Sequence, residues 1–235
     1  MNIVLTGAST GIGYQAALRL ATTGHTVFAV ARRKKNLEKL HDEVARHNSA
    51  SNLHILAGDI SDSGFLDILA KEIRARTKTI NILINNAGTL INKPFEELTS
   101  QDWMDVYTTN VFAVAGLTRK LLPLFGGAGK NHILNISSMG GFQGSAKFKG
   151  LSAYSSSKAA LAGITECLAE EFKEKNIAVN CLCLGSVQTE MFANAFPDFK
   201  AASTAEDAAR FIAEFAVDGA ALFNGKIIPV SNSTP

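Results

Sequence analysis

Short apolar runs alternate with longer amphipathic stretches along the whole chain. The apolar runs predict strands at Asn2–Thr6, Thr26–Ala31, Leu53–Ala57, Ile80–Ile84, His132–Ile136, Ile177–Leu182 and Lys226–Val230. Stretches with helical periodicity predict helices at Ile12–Thr22, Leu37–Ala45, Phe65–Arg76, Gln101–Leu124, Ala153–Lys173 and Ala205–Phe215. Strand and helix signals therefore follow one another from one end of the chain to the other.

The strands are apolar at nearly every position, which is typical of a parallel sheet that helices cover on both faces. Right-handed crossovers between successive strands then produce a doubly wound α/β fold. Ligands in such folds bind beyond the carboxyl ends of the strands. The residues that follow each predicted strand are therefore the first candidates for a functional site.

The composition argues against several classes of protein. With 46% hydrophobic and 19% charged residues among 235, the chain has the make-up of an ordinary globular domain. The net charge is +2 and the charges are dispersed, which argues against a nucleic-acid partner. No apolar run approaches the ~18 residues of a membrane span, and no signal peptide precedes the first strand. We therefore expect a cytoplasmic protein without a membrane partner.

The cysteines favour the same compartment. Cys167, Cys181 and Cys183 are odd in number and lack Cys-x-x-Cys spacing, so reduced, packed thiols are expected. Cys181 and Cys183 alternate on a predicted strand and would face one side of the sheet. No other ligand type accompanies them, so no metal site is predicted.

The first strand runs directly into a glycine-rich turn, Thr6-Gly7-Ala8-Ser9-Thr10-Gly11-Ile12-Gly13. Glycines let the backbone turn tightly and approach a ligand closely, and the following helix offers free N–H groups to a phosphate. An ordinary β–α turn is the plain alternative. The position between an N-terminal strand and a helix favours a dinucleotide site, although the spacing is Gly-x-x-x-Gly-x-Gly and not Gly-x-Gly-x-x-Gly.

The second predicted strand leads into Arg32 and Arg33, at the place where an acidic residue would bind the ribose of NAD. An arginine there accommodates the 2′-phosphate of NADP instead. Arg32 is the first choice for that phosphate and Arg33 the second. The alternative is a solvated basic turn that opens the next helix.

The third predicted strand is followed by Asp59 and Ile60, which would lie near the adenine of a bound dinucleotide. An isolated aspartate after a strand is more often a turn or N-cap residue. Ser61 or Asp62 could share that role.

Tyr154 and Lys158 lie four residues apart at the start of a predicted helix, so their side chains share one face. A nearby ammonium lowers the pKa of a phenol, but moving it from ~10 to neutrality takes about 4 kcal/mol. A single lysine falls short of that, and a cationic cofactor ring would add to it. The pair alone is a weak motif that chance supplies readily.

Considered together, these residues resemble the short-chain dehydrogenase/reductase family. The glycine-rich turn, Asn85-Asn86-Ala87-Gly88, Asn110, Asn135-Ile136-Ser137-Ser138 and the Tyr154/Lys158 pair match its motifs in order and spacing. The resemblance implies a single Rossmann-type domain over residues 1–235, with a parallel seven-stranded sheet in the order 3-2-1-4-5-6-7. It also implies hydride transfer between NADP(H) and a small-molecule carbonyl or alcohol substrate.

The resemblance assigns catalytic roles to four residues. Tyr154 would exchange a proton with the substrate oxygen, and Lys158 would hold the nicotinamide ribose and lower the pKa of the tyrosine. Ser138 would hydrogen-bond the substrate oxygen, with Ser137 the weaker candidate because adjacent strand residues face opposite ways. Asn110 would hold a water that links Lys158 to solvent.

The resemblance also predicts the cofactor contacts. The turn after the sixth strand would place Val187 and Thr189 against the nicotinamide carboxamide. The complete predicted set is Gly7, Ser9, Thr10, Gly11, Ile12, Gly13, Arg32, Arg33, Asp59, Ile60, Asn86, Ala87, Gly88, Tyr154, Lys158, Val187 and Thr189. NADP(H) is the preferred cofactor and NAD(H) the alternative.

The chain departs from the family pattern near the expected substrate. Leu184 stands where the family usually has proline, and leucine lacks proline's fixed φ. Tyr154 follows Ser138 by sixteen residues, which is longer than the usual spacing. The extra length within Gly141–Leu151 is expected to line the substrate mouth, and the substrate lid, about residues 190–203, is short.

The sequence does not specify the substrate. As an enzyme, the chain is therefore either a general ketone, aldehyde or sugar-alcohol dehydrogenase or a 3-oxoacyl-(acyl carrier protein) reductase. A non-catalytic nucleotide sensor would have lost the catalytic residues of the family, but this chain retains all four. The clustered glycines argue against a purely structural domain.

The resemblance further implies a homodimer or homotetramer, because family members usually pair the helices here spanning Gln101–Leu124 and Ala153–Lys173 across a two-fold axis. Apolar residues that would suit such a contact are Trp103, Phe112, Leu161 and Leu168. Packing within one subunit is the default explanation for them.

Overall fold

The computed structural model describes residues 1–232, with only the backbone of residue 51. The strands are β1 Asn2–Thr6, β2 Thr26–Ala31, β3 Leu53–Ala57, β4 Ile82–Asn85, β5 Asn131–Ser138, β6 Ile177–Leu184, β7 Val187–Gln188, β8 Ser203–Thr204 and β9 Ile227–Val230. The α-helices are α1 Gly11–Thr22, α2 Lys34–Arg46, α3 Ser63–Arg76, α4 Ser100–Tyr107, α5 Ala113–Leu121, α6 Ser152–Glu171, α7 Glu190–Ala195 and α8 Ala205–Asp218. The predicted domain extends to residue 235, so its last three residues lie outside the described range.

Seven strands form one sheet in the order β3-β2-β1-β4-β5-β6-β9, and every neighbouring pair is parallel. The predicted order 3-2-1-4-5-6-7 is confirmed. The strand in seventh place is β9, because β7 and β8 pair only with each other. The order reverses between β1 and β4, so the carboxyl ends of these strands define the crevice where such folds bind ligands.

Helices cover both faces of this sheet. Alternate residues of β1 divide between the two core clusters: Ile3 and Leu5 pack with α1, α2 and α8, whereas Val4 packs with α3, α5 and the end of α6. Apolar burial on both sides explains why the strands are apolar at nearly every position. The predicted doubly wound α/β class is therefore confirmed.

The long helix predicted over Gln101–Leu124 is wrong in one respect, because it is not regular throughout. α4 passes into a π-helical turn of five residues, Thr108–Phe112, before α5 resumes the regular helix and a 3₁₀ turn closes it at Leu122–Leu124. A π turn is frequent at functional sites. This one carries Asn110, whose side chain is fully buried beside the crevice.

Some strand boundaries also differ from the prediction. β5 extends to Ser138 and does not end at Ile136. β4 covers Ile82–Asn85, while Ile80 makes only an isolated bridge to Phe125. The hydrophobic pattern misplaces these ends because the strands finish in polar residues that carry no hydrophobic signal.

The helices do not include a membrane span: within residues 1–232 none is both long and apolar enough to cross a bilayer. Of the residues considered for a two-fold contact, Leu161 is 1% exposed and belongs to the core. Phe112 is 54% exposed and remains available to a partner. Trp103 and Leu168 are half-buried.

A buried histidine joins β5 to α8 and β6. The ring nitrogen Nδ1 of His132 donates to the Ala216 carbonyl at 2.9 Å, and Nε2 accepts from the Asn180 amide at 3.0 Å. Both nitrogens are therefore satisfied only by the neutral ring. Burial lowers the pKa of His132 from 6.5 to about 4, against the smaller raising effect of the Ala216 bond.

This depressed pKa predicts that the protein loses stability in acid. The unfolded chain takes up a proton below pH 6.5, whereas the folded chain resists it down to about 4. We expect the free energy of unfolding to fall by about 3 kcal/mol between pH 7 and pH 4 from this residue. Urea unfolding of the wild type and of His132→Gln, which does not titrate, measures the difference. Equal pH dependence in the two proteins would contradict the assignment, and exposed His47→Gln should retain the wild-type dependence.

Candidate active site

The glycine-rich turn folds back onto the start of α1 and onto the segment after β4. Gly7 and Gly11 have φ of +74° and +56°, in the left-handed region that favours glycine. A Cβ on Gly13 would collide with the Gly7 carbonyl oxygen and the Asn86 amide. Thr10, the N-cap of α1, makes no side-chain bond to the helix. The first N–H groups of α1 are therefore available to a bound anion.

This close packing predicts the effect of a single methyl group. We expect Gly13→Ala to lower the free energy of unfolding by about 1–3 kcal/mol, because the added carbon overpacks the turn. The control is Gly163→Ala in α6, where a Cβ would meet nothing within 4 Å. That change should stabilise the protein by about 0.5–1 kcal/mol through helix propensity. Urea denaturation measures both, and a neutral or stabilising Gly13→Ala would show that the turn relaxes freely.

Thr6 fixes this turn to the next segment, a role that the sequence reasoning missed. Its hydroxyl oxygen accepts from the backbone N–H groups of Asn86 and Ala87, both at 3.1 Å. The Asn86 side chain in turn donates to the Thr6 carbonyl at 3.0 Å. The available signal was a threonine that closes a buried strand directly before the glycines.

The other asparagine at the end of β4 belongs to a buried chain of amides. Asn85 donates to Asn135 of β5 at 2.8 Å, and Asn135 donates to the Thr165 hydroxyl of α6 at 2.9 Å. The Thr165 hydroxyl in turn donates a hydrogen bond to the Leu161 carbonyl at 2.9 Å. The three polar residues are at most 1% exposed. Their bonds offset part of the desolvation cost of burying amides, although the Asn85 side-chain oxygen has no hydrogen-bond partner in the described part of the chain, and they tie β4, β5 and α6 together.

The two arginines after β2 have different surroundings. Arg33 donates to the Thr10 hydroxyl at 2.9 Å and to both carboxylate oxygens of Glu190, at 3.0 and 3.2 Å. Arg32 is 75% exposed at its side chain, and its contact with Asp59 is a loose 3.7 Å. Arg33, ranked second from the sequence, is therefore the one that reaches the glycine-rich turn. Glu190 was not anticipated, because 157 residues separate it from its partner.

Asp59 closes the turn after β3, which is the alternative considered from the sequence. Its carboxylate accepts from the backbone N–H and the hydroxyl of Ser61, at 2.9 and 2.7 Å. Burial acts to raise the pKa of Asp59, but these bonds and the Arg32 guanidinium hold it below its ordinary value. Asp62 caps α3, and Ile60 is buried. A contact with adenine stays a prediction.

Tyr154, Lys158 and Ser138 come together at the start of α6. The ammonium of Lys158 lies 5.9 Å from the centroid of the Tyr154 ring and donates to the Ile136 carbonyl at 2.8 Å. The Ser138 side chain lies close enough to the Tyr154 phenol to lower its pKa, and its hydroxyl oxygen accepts from the Gly140 N–H at 3.1 Å. Ser137 instead donates to the Lys158 carbonyl at 2.9 Å, on the opposite side of β5. The strand alternation used to choose between the two serines thus agrees with the structure.

The electrostatics of this group oppose ionisation of the phenol. Burial raises the pKa of Tyr154 above its ordinary value, and the interaction with Ser138 only partly offsets the increase. Burial also lowers the pKa of Lys158 from 10.5 to about 8. In the protein without a ligand the pKa of the phenol is therefore not brought toward neutrality, in line with the expectation that a single lysine falls short. The lowering of the tyrosine pKa by Lys158 and a bound cofactor stays a prediction.

Asn110 is held by the protein on three of its hydrogen-bonding positions. Its oxygen accepts from the Thr89 N–H at 2.8 Å, and its amide donates to the Thr89 carbonyl and the Ser157 hydroxyl, both at 3.0 Å. Ser157 donates to the Tyr154 carbonyl at 2.7 Å. One lone pair of the amide oxygen is left for a water. Asn110 thus braces the turn of α6 that carries Tyr154, and the proton relay stays a prediction.

The segment after β6 reaches the same crevice. Thr189 caps α7 by accepting from the Phe192 N–H at 3.1 Å. Its methyl group would be 3.2 Å from a Cβ built on Gly11, so it lies beside the glycine-rich turn. Val187 is buried in the β7–β8 pair. On the other side, Gly88 packs close to both Lys158 and Asn110.

Comparison with known proteins identifies the family to which this chain belongs. A sequence profile described as short chain dehydrogenase matches residues 1–200. The chain belongs to the short-chain dehydrogenase family. As a member, it is an oxidoreductase that acts on alcohol or carbonyl groups with a nicotinamide cofactor.

Individual relatives of this short-chain dehydrogenase support the same family assignment. The oxidoreductase YusZ of Bacillus subtilis is 34% identical over 196 residues, which cover 83% of this chain and 68% of that protein. The NADPH-dependent pterin aldehyde reductase of Arabidopsis thaliana is 32% identical over 207 residues, or 88% and 83% of the two chains. A short-chain dehydrogenase of Escherichia coli, solved in complex with NADPH, has a TM-score of 0.88 at 29% identity and covers 97% of this chain and 95% of its own.

Two thiols lie beside Lys158 and the candidate catalytic group. Cys181 and Cys183 are buried on β6 and face the same side, as the alternation predicts, and each interacts with Ser137 and Lys158. Both are free thiols. Within residues 1–232, histidine, cysteine and acidic side chains form no group of three that could hold a metal ion.

Proposed function

We propose that this short-chain dehydrogenase transfers a hydride between NADP(H) and a carbonyl or alcohol substrate, with Tyr154 as the acid/base. The observation that carries the proposal is the convergence of Tyr154, Ser138 and Lys158 at the carboxyl end of β5. They offer a proton, a hydrogen-bond donor and a fixed positive charge around one point. This is the set of groups that carbonyl reduction requires.

In the direction of reduction, the Tyr154 hydroxyl donates its proton to the substrate oxygen as the carbonyl carbon accepts a hydride. Ser138 donates a hydrogen bond to the same oxygen, where negative charge develops. The Lys158 ammonium then stabilises the phenolate that remains on the tyrosine. With the pKa of Tyr154 raised and that of Lys158 about 8, both groups carry their protons at neutral pH. The phenolate would regain its proton from Lys158, and Asn110 would hold the water through which Lys158 recovers a proton from solvent.

The residues of the crevice fit NADP(H), which supplies the hydride when bound. The uncapped start of α1 suits the pyrophosphate, and the glycines allow its close approach. Two arginines, Arg32 and Arg33, follow β2 where an NAD site has an acid. The NADPH held by the Escherichia coli relative supports the same choice. NAD(H) would find no acidic partner for its ribose directly after β2.

A spectrophotometric screen tests the function. Ketones, aldehydes and 3-oxoacyl thioesters are each offered with NADPH and with NADH, and the alcohols with NADP and NAD. We expect at least one carbonyl class to be reduced, faster with NADPH. A consistent preference for NADH would overturn the cofactor assignment, and the absence of turnover across the panel would count against the function.

Glu190 provides a finer test of the cofactor site. It competes with an incoming phosphate for Arg33, so Glu190→Gln is expected to tighten NADPH binding up to about fivefold. Fluorescence titration measures the affinity. Glu214→Gln, which breaks a similar exposed pair with Arg19 at 2.9 Å, is the control and should change nothing. Weaker binding in Glu190→Gln would mean that the acid holds the arginine in place for the cofactor.

We also propose that the protein is cytoplasmic and that it forms a homodimer or homotetramer. Residues 190–203 would form the lid over the substrate. The exposed Phe112 on the π turn supports a two-fold contact there, because an isolated subunit would leave this ring in water. The free cysteines support a reducing compartment. Sedimentation of the purified protein measures the assembly, and a monomer would contradict it.

A further inference from the structure

Three segments meet around the mouth of the active site: the mouth loop (residues 141–151), the lid (residues 190–203) and the segment after β4. The backbone N–H of Lys93 donates to the Gly150 carbonyl in the mouth loop at 3.0 Å. The neighbouring Asn92 amide donates to the Ala195 carbonyl in the lid at 2.8 Å. The segment after β4 therefore joins the other two around the expected substrate mouth.

The rim of this opening is aromatic. In the lid, the ring centroids of Phe192 and Phe196 are 5.2 Å apart, and those of Phe196 and Phe199 are 6.5 Å apart. Phe199 is 70% exposed, and Phe148 of the mouth loop is 60% exposed. Large apolar side chains left this open beside a crevice favour a ligand with an apolar body.

A lysine ammonium is fixed within this aromatic rim. Lys147 donates to the Phe142 carbonyl and to the Ser145 hydroxyl, both at 2.6 Å. An ammonium has three donors, so one is left. Among the described residues Lys147 has no carboxylate partner, although Lys93 nearby is paired with Asp102 at 2.9 Å. The loop thus holds a positive charge in place without neutralising it.

This charge lies within electrostatic reach of the catalytic group. The pKa of the Cys183 thiol is below its ordinary value, chiefly through a hydrogen bond with Cys181, with smaller contributions from the ammonium groups of Lys158 and Lys147. Cys183 in turn acts on Tyr154. The chain itself also ties Lys147 to this region, because the Ser145 hydroxyl that it contacts donates to the carbonyl of Met139, the residue that follows Ser138. A substrate bound at Tyr154 would therefore extend toward the mouth loop.

We propose that Lys147 selects carbonyl substrates that carry an anionic group, a carboxylate or a phosphate, on an apolar body. The aromatic rim holds the body, the third donor of Lys147 binds the anion, and the carbonyl lies at Tyr154. The inference rests on the proposed carbonyl reduction and adds the class of substrate. A purely structural lysine would serve the Phe142 carbonyl alone and would not distinguish charged from neutral substrates.

The test compares charged and neutral probes of one shape. With the NADPH complex, kcat/KM is measured for 4-formylbenzoate, 4-formylphenyl phosphate and methyl 4-formylbenzoate, and calorimetry gives the affinities of benzoate and benzamide. Lys147→Gln keeps N–H donors for the loop but removes the charge, and Lys147→Arg restores it. Lys175→Gln, an exposed lysine at the far end of α6, controls for net charge.

We expect the wild type to favour the anionic probes, and Lys147→Gln to reduce that preference about fivefold, with rescue by Lys147→Arg. High salt should weaken the preference as well. The ratio of the two anionic probes shows whether carboxylate or phosphate is preferred. Lys149→Gln changes the other exposed lysine of the mouth loop. Equal binding of benzoate and benzamide, or an effect of Lys149→Gln larger than that of Lys147→Gln, would overturn the proposal. Selective binding without turnover would fault the carbonyl reduction and leave the anion site standing.

Discussion

Replacing Tyr154 by phenylalanine is expected to lower kcat by a factor of roughly a hundred to ten thousand on any substrate that the wild type reduces. Phenylalanine keeps the ring but removes the hydroxyl that lies near Ser138 and carries the proton. The substrate oxygen would then have to take its proton from water. Steady-state kinetics with NADPH measure the loss, and fluorescence titration should show NADPH binding nearly unchanged.

Tyr107→Phe is the matched control for this prediction. Tyr107 contacts Trp103 and Phe112 through its ring, with centroid distances of 6.2 and 6.3 Å. Its hydroxyl has no role in the proposed proton transfer. We expect its kcat to stay within about twofold of the wild type, as for surface changes outside a site. Turnover by Tyr154→Phe at the wild-type rate would remove the tyrosine from the mechanism.

Arg33→Ala is expected to weaken NADPH binding about tenfold to a hundredfold and NADH binding much less. A guanidinium that bonds a phosphate contributes about 1.5–3 kcal/mol, and only NADPH has the extra phosphate. Arg33 already donates to Thr10 at the glycine-rich turn, so little movement is needed to meet that group. Parallel fluorescence titrations with the two cofactors give the ratio.

Arg32→Ala distinguishes the contribution of Arg32 to NADPH affinity from that of Arg33. Its side chain is 75% exposed and only loosely paired with Asp59, so a smaller loss of NADPH affinity is expected. A larger loss than in Arg33→Ala would restore the ranking suggested by the sequence. If Arg33→Ala weakened NADH as much as NADPH, the residue would support the turn and not recognise the phosphate.

The hydrophobic pattern predicted the parallel sheet, because strands buried on both faces must be apolar throughout and residues that follow parallel strands must meet at one edge. The strand order and the grouping of Tyr154 with Ser138 came from the resemblance to the short-chain dehydrogenase/reductase family. Strand alternation added that Ser137 and Ser138 face opposite sides of the sheet.

Other features depend on contacts between distant parts of the chain, which no local pattern reports. The π turn at Asn110 follows from bonds to Thr89 and Ser157, so periodicity alone predicts a plain helix. The raised pKa of Tyr154 reflects the desolvation of its phenol by the surrounding residues. The pairing of Arg33 with Glu190 similarly joins residues that are far apart in the sequence.

The buried amide chain also fixes the alignment of the central strands. Asn85 faces Asn135 in the ladder between β4 and β5. Sliding one strand along the other by two residues would keep every apolar side chain on its own face, so apolar packing alone opposes it weakly. It would also separate the two amides and leave them unpaired in the core, which is costly. The pair therefore fixes where β4 ends relative to β5, and with it where the segments that follow the two strands enter the crevice.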